Sequence, residues 1–142
     1  MNLMKVLLPV DGSAYTKRML GWVAAHDEFF VAQTEFTALT VVPELPRHAG
    51  YFELADVKGY YEARAEEVLE PVRAFIAQKG WRAHFEHRIG HPAEQIAAAA
   101  TTADFDLIVL GSHGQSALVD LALGSVATGV LARCKTPVLL IR

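Results

Sequence analysis

The chain has 142 residues, 52% hydrophobic and 20% charged, with 13 basic and 16 acidic side chains and a formal charge of -3. This length fits one domain over residues 1–142 that buries a sizeable core, and the composition excludes a disordered chain. The mildly acidic balance speaks against nucleic acid or an anionic membrane surface as a partner, since either calls for a strong basic face.

Cys134 is the single cysteine, which excludes an internal disulfide and fits a reducing compartment. The opening MNLMKVLLPVD meets Asp11 too soon to serve as a signal peptide. No run reaches the roughly 18 apolar residues of a membrane span. The expectation is a soluble, cytoplasmic protein with no membrane insertion.

Residues 4–10 form a nearly wholly apolar run closed by Asp11-Gly12-Ser13, as in a strand buried on both faces of a parallel sheet. Ser13 or a neighbour is placed to cap the next helix, in which Met19, Leu20, Val23 and Ala24 recur at helical spacing. Residues 37–42 read as a second buried strand, and Pro43, Pro46 and Gly50 mark the loop beyond it. The longest helical pattern covers residues 54–78, with Val68, Leu69, Val72, Phe75 and Ile76 as its apolar stripe. Pro71 lies inside and is expected to kink or split it, and Gly80 stops it.

Residues 81–89 alternate, Trp81, Ala83 and Phe85 against Arg82, His84, Glu86 and Arg88, which predicts a half-exposed strand at a sheet edge. Pro92 opens a helix to about Thr102. Residues 106–110 form another buried strand, residues 125–133 the final helix, and residues 136–141 a last apolar strand. This alternation predicts an α/β fold with a mainly parallel sheet of five strands. Ligands of such sheets bind beyond the carboxyl ends of the strands, where the strand order reverses. With strands one and four adjacent at that point, Asp11-Gly12 and the Gly111 loop face one crevice.

The most informative stretch is residues 110–126, LGSHGQSALVDLALGSV, in which Gly111, two residues, Gly114 and nine residues lead to Gly124-Ser125. Glycines permit positive φ and close approach to a ligand, and a helix start offers unpaired N–H groups with partial positive charge. Together they suggest a phosphate cradle, against the plainer reading of a glycine-punctuated surface loop. A connection longer than about 12 residues favours function or disorder. Asp11 is placed to accept hydrogen bonds from ribose hydroxyls or an adenine amine, and equally to form a turn with its own backbone.

Neither G-x-x-x-x-G-K-[ST] nor a G-x-G-x-x-G after the first strand is present, so the phosphate lysine of P-loop proteins is missing. His84 and His87 point to opposite faces of their strand, His91 follows in the turn, and no metal site is expected. His113 lies within the glycine stretch, either as an ordinary loop histidine or as a donor to a phosphate. Tyr51, Phe52, Tyr60 and Tyr61 read as core or interface rather than a base-stacking platform.

The segments VLLPVDGS, ALTVVPE, LIVLGSHG, LGSV and TPVLLI resemble, in order and over the whole chain, the universal stress protein family. The G-x2-G-x9-G-S spacing is similar to the signature of its ATP-binding branch. The resemblance implies a Rossmann-like open sheet of strand order 3-2-1-4-5, helices on both faces, and a bound adenine nucleotide. That nucleotide would be ATP, with AMP or ADP as alternatives and Mg2+ accompanying the phosphates. It places Pro9, Val10 and Asp11 beside the adenosine and Val41 at the adenine. Leu110, Gly111, His113 and Gly114 would line the ribose and phosphates, with Gly124, Ser125 and Val126 at the phosphates.

The resemblance also implies a homodimer through Val138 to Ile141 and a regulatory role in a stress response, read out by a protein partner. Catalytic residues are not expected; slow ATP hydrolysis and a nucleotide-free dimeric adaptor are the alternatives. Where many ATP-binding relatives carry basic residues, this chain has Gln115, Val119 and Asp120.

Overall fold

The computed structural model describes residues 3–30, 32–46, 54–114 and 122–142. Five parallel strands, β1 (Lys5–Pro9), β2 (Glu35–Val42), β3 (Ala83–Ile89), β4 (Leu107–Gly111) and β5 (Val138–Ile141), form one sheet. Their order is β3-β2-β1-β4-β5. Helices α1 (Ala14–Ala25), α2 (Leu54–Lys79), α3 (Pro92–Thr102) and α4 (Ser125–Arg133) alternate with them.

Strand periodicity sorts the core onto two faces. Val6 and Leu8 of β1, with Phe36 and Ala38 of β2, join Met19 and Val23 of α1 and Leu69 and Val72 of α2. Leu7 and Leu39, one residue out of phase, join Ile96 and Ala100 of α3 and Val130 of α4 on the opposite face. Val6, Leu7 and Leu8 are fully buried, because β1 is covered on both faces and flanked by β2 and β4. Its register, Val6↔Phe36 on one side and Val6↔Leu107 on the other, places the ends of β1 and β4 together where the order reverses.

The long helix continues through Pro71 rather than dividing there. Proline cannot donate the hydrogen bond of its turn; across the same stretch Arg73 reaches back to Glu66, its two terminal nitrogens each donating to a carboxylate oxygen at 3.1 Å. The same guanidinium lies 5.2 Å from the Phe85 ring centroid and so ties α2 to β3. Tyr61, Ala65, Leu69, Val72 and Ile76 make the buried stripe; Tyr60 is exposed, while Tyr51 and Phe52 lie outside the described residues. On the other face, the alanines of α3 admit α4 closely, since a Cβ on Gly129 would stand 2.5 Å from that of Ala93.

β3 is an outer strand, on which His84 Nε2 lies 3.2 Å from Glu35 Oε1 of the neighbouring β2. β5 is the other outer strand, and Val138, Leu139 and Leu140 are only partly covered. Among the described residues no helix is long and apolar enough to cross a membrane.

Candidate functional site

The chain leaves β1 into a tight turn, with Gly12 at φ +79°, a conformation that glycine adopts without penalty. Asp11 Oδ1 accepts hydrogen bonds from the Ser13 N–H and the Thr16 hydroxyl, both at 2.9 Å. The Asp11 N–H in turn donates to Thr16 Oγ1 at 3.0 Å. The turn-forming role is therefore real, and it fixes the carboxylate at the end of β1. Ser13 occupies the N-cap position of α1 but its side chain makes no capping bond. Asp11 takes up the Ser13 N–H instead.

At the end of β4 the buried Ser112 acts as a clasp. Its N–H donates to Ile141 O at 2.8 Å, and its carbonyl accepts from the Gly124 N–H at 2.6 Å. Its hydroxyl lies 2.9 Å from His113 Nδ1, and the His113 ring stands 5.1 Å from that of Tyr15. Both ends of the glycine stretch are thus held at one point. Residues 115–121, including Gln115, Val119 and Asp120, lie outside the described residues.

The glycines of this stretch serve a purpose other than positive φ, since the positive-φ glycines of the described chain are Gly12, Gly80 and Gly90. Close approach is what Gly111, Gly114 and Gly124 permit. A Cβ on Gly111 would lie 2.8 Å from Tyr15 Cβ, one on Gly114 2.5 Å from Asp11 Oδ2, and one on Gly124 3.0 Å from His113 Cα. Backbone passes against backbone and carboxylate here, at distances that leave no room for a side chain.

Gly124 is the N-cap of α4, and the first intrahelical bond runs from Thr128 N–H to Gly124 O at 3.0 Å. The N–H groups of Ser125, Val126 and Ala127 precede any in-helix acceptor and carry the partial positive charge of a helix start. They border the same opening as the Asp11 turn.

That opening is a cleft of about 300 Å³, at the small end of the range for ligand sites. From the end of β1 and the turn beyond it the cleft takes Pro9, Val10 and Asp11, and from β2 Val41. Leu110, Gly111, His113 and Gly114 come from the end of β4, and Gly124, Ser125 and Val126 from the start of α4. Every site residue read from the sequence therefore lines one cleft, at the carboxyl ends of the strands and at the reversal of strand order.

Sequence reasoning missed the other walls. Thr40 and Pro43 extend the β2 side, Pro92 and Ile96 enter from α3, and Arg64 and Glu67 come from α2. Arg64 Nη1 and Glu67 Oε2 form an ion pair at 3.1 Å. Only the docking of α2 on β2 and β3 brings that pair to the cleft. Apolar walls, a fixed carboxylate and a row of backbone donors suit a ligand with a flat apolar part, hydroxyl groups and an anionic end.

Comparison with known proteins gives the same picture. Residues 2–142 match the model of the universal stress protein family. Universal stress protein MJ0531 of Methanocaldococcus jannaschii is 30% identical over 145 residues, covering 97% of this chain and 81% of the relative. The solved structure of MJ0577, a universal stress protein of the same organism, superposes with a TM-score of 0.81 at 27% identity, over 99% of this chain and 96% of the other. The universal stress protein of Archaeoglobus fulgidus, solved in complex with dAMP, has a TM-score of 0.70 at 21% identity over the whole of both chains. At that identity the likeness is one of fold.

Proposed function

This chain belongs to the universal stress protein family, and on that premise we propose that its single domain is a regulatory module that binds an adenine nucleotide in the cleft between β1 and β4. The observation that carries the proposal is the convergence of the Asp11 turn, Val41, the Gly111 stretch and the start of α4 on one cleft of about 300 Å³. The dAMP complex of the Archaeoglobus fulgidus protein, which shares the fold, supports an adenine nucleotide as the ligand.

The residues present fit such a group. Asp11, pinned through Oδ1 by Ser13 and Thr16, would accept a hydrogen bond from a ribose hydroxyl or base amine. Val10, Val41 and Leu110 would cover the flat base. The N–H groups of Ser125 and Val126 would hold phosphate, where a helix start favours anions by about 0.3–1 kcal/mol at an exposed site. The ligand class comprises ATP, ADP and AMP, with Mg2+ able to accompany a polyphosphate. The protein acts as a cytoplasmic homodimer paired through β5, whose outer edge would otherwise invite uncontrolled strand addition, and its bound state is read by a protein partner.

Mass spectrometry of gently purified protein tests the ligand class. An adenine nucleotide carried through purification is the expected result. No nucleotide retained, together with no heat of binding at millimolar AMP, ADP or ATP, contradicts it.

A further inference from the structure

The start of α4 and the far end of β5 meet at one residue. Ser112 is fully buried. Its N–H donates to Ile141 O of β5 at 2.8 Å, and its carbonyl accepts from the Gly124 N–H, at the N-cap of α4, at 2.6 Å. The same stretch of chain is bound to β4 at a second point, where the Ile108 N–H donates to Pro137 O at 2.9 Å. α4 and β5 are therefore clasped to β4 at both of its ends. The strand register draws the link closer still, because Leu140 and Ile141 stand beside Leu110 and Gly111, both of which line the cleft.

β5 itself is weakly held. It has four residues, stands at the edge of the sheet, and leaves Val138, Leu139 and Leu140 only partly covered. Short elements of this kind open locally at a free energy well below that of global unfolding. When β5 opens, the Ser112 N–H loses its acceptor within the protein. A buried N–H without a partner is costly, so relief requires Ser112 to turn toward water, and the carbonyl that fixes Gly124 turns with it. The N–H groups of Ser125 and Val126, which follow Gly124 at the helix start, then lose the placement that an anion requires.

We propose that β5 regulates the cleft through Ser112: docking of β5 on β4 raises the affinity of the cleft, and a ligand in the cleft firms β5 at its edge. The ligand is the adenine nucleotide of the proposed function, so the coupling rests on that reading. Its bistable element is β5, docked or frayed, and binding energy is spent on ordering the strand whenever it starts frayed. The outer edge of β5 is also where the second copy proposed above would pair. Whatever covers that edge and whatever fills the cleft then favour each other, by the same factor in both directions.

Hydrogen–deuterium exchange on the full chain, without ligand and with saturating AMP, tests the coupling. The β5 amides are expected to exchange more slowly by about fivefold or more when AMP is bound, while those of β3 at the opposite edge of the sheet change by less than about twofold. Protection confined to the cleft lining, or equal at β3 and β5, overturns the proposal. Loosening β5 gives the converse. Leu139 does not line the cleft, and Leu139→Gly, which favours the frayed strand, should lower AMP affinity by about fivefold or more in calorimetry. His84→Gly on the exposed side of β3 is the matched control and should stay within about twofold of the unaltered protein. Unchanged affinity in Leu139→Gly, or equal losses in the two variants, also overturns the proposal. If Leu139→Gly fails to fold, exchange on the unaltered protein decides the matter. AMP that binds while β5 exchange stays as it was overturns the coupling alone, whereas AMP that gives no heat of binding to the unaltered protein overturns the adenine-nucleotide reading and the coupling together.

Discussion

Gly114 lies so close to Asp11 that a Cβ added to the glycine would stand 2.5 Å from Oδ2 of the aspartate. The carboxylate has little freedom to withdraw, because Oδ1 accepts hydrogen bonds from the Ser13 N–H and the Thr16 hydroxyl. The turn after β1 and the loop after β4 therefore set each other's positions.

Gly114→Ala is expected to push the Asp11 carboxylate out of place. Overpacking of this kind costs about 1–3 kcal/mol of stability, and AMP affinity should fall by about tenfold or more. Urea denaturation and calorimetry measure the two effects. Unaltered AMP affinity in a folded Gly114→Ala protein would show that the Asp11 contact does not shape the cleft.

Gly111→Ala should act chiefly on stability. The added Cβ would meet Tyr15 Cβ at 2.8 Å and the His113 carbonyl oxygen at 3.2 Å, and neither is the far end of a flexible side chain. A loss of about 1–3 kcal/mol is expected, seen as a lower denaturation midpoint at unchanged slope. Gly59→Ala in α2 is the matched control, since nothing lies within 4 Å of its added Cβ. It should stabilise by up to about 1 kcal/mol through helix propensity. Equal effects at the two positions would contradict the close-approach account.

Thr16→Val preserves shape and removes the hydroxyl that both donates to Asp11 Oδ1 and accepts from the Asp11 N–H. Leaving these partners unsatisfied costs about 1–3 kcal/mol. The substitution should also weaken AMP binding, although Thr16 contributes through the placement of Asp11. A stable variant with normal affinity would remove Thr16 from the account.

The Glu66–Arg73 pair gives α2 a pH dependence of defined sign. The hydrogen bonds from Arg73 hold the Glu66 carboxyl below the usual carboxylate range, against a smaller opposing effect of burial. Its contribution to stability is therefore present above the unfolded pKa of glutamate and lost as pH falls through the lower folded value. Melting temperatures of the unaltered protein and Arg73→Gln should differ most near neutral pH and converge through the acid range. A constant offset is left by the lost contact with Phe85. A difference that does not change with pH would rule out the linkage.

The strands were legible because burial on both faces leaves an unmistakable apolar run, as in residues 4–10 and 106–110, and Pro92 marked the start of α3 at the residue where it begins. Pro71 misled in part: a proline in a helix interior usually interrupts it, yet α2 runs on, with Leu69, Val72 and Ile76 buried on both sides of it. Gly111, Gly114 and Gly124 were visible as a spacing, but their physical reason, crowding by Tyr15, Asp11 and His113, exists only after folding. Ser112 carried a faint signal as a small polar residue at the end of a buried strand. Arg64 and Glu67 carried none, because their place at the cleft depends on the docking of α2 on β2 and β3.

Pairing through β5 predicts that the protein sediments at twice the 15.5 kDa mass of the chain. Sedimentation velocity at micromolar concentration measures this. A single species of monomer mass would contradict the proposed homodimer without touching the cleft.

A crystal structure of the protein grown with AMP would show where the nucleotide sits. The adenosine is expected between Val10, Val41 and Leu110, with a ribose or base hydrogen bond to Asp11 and the phosphate at the N–H groups of Ser125 and Val126. AMP bound elsewhere on the molecule, or a cleft between β1 and β4 without nucleotide at saturating AMP, would contradict it.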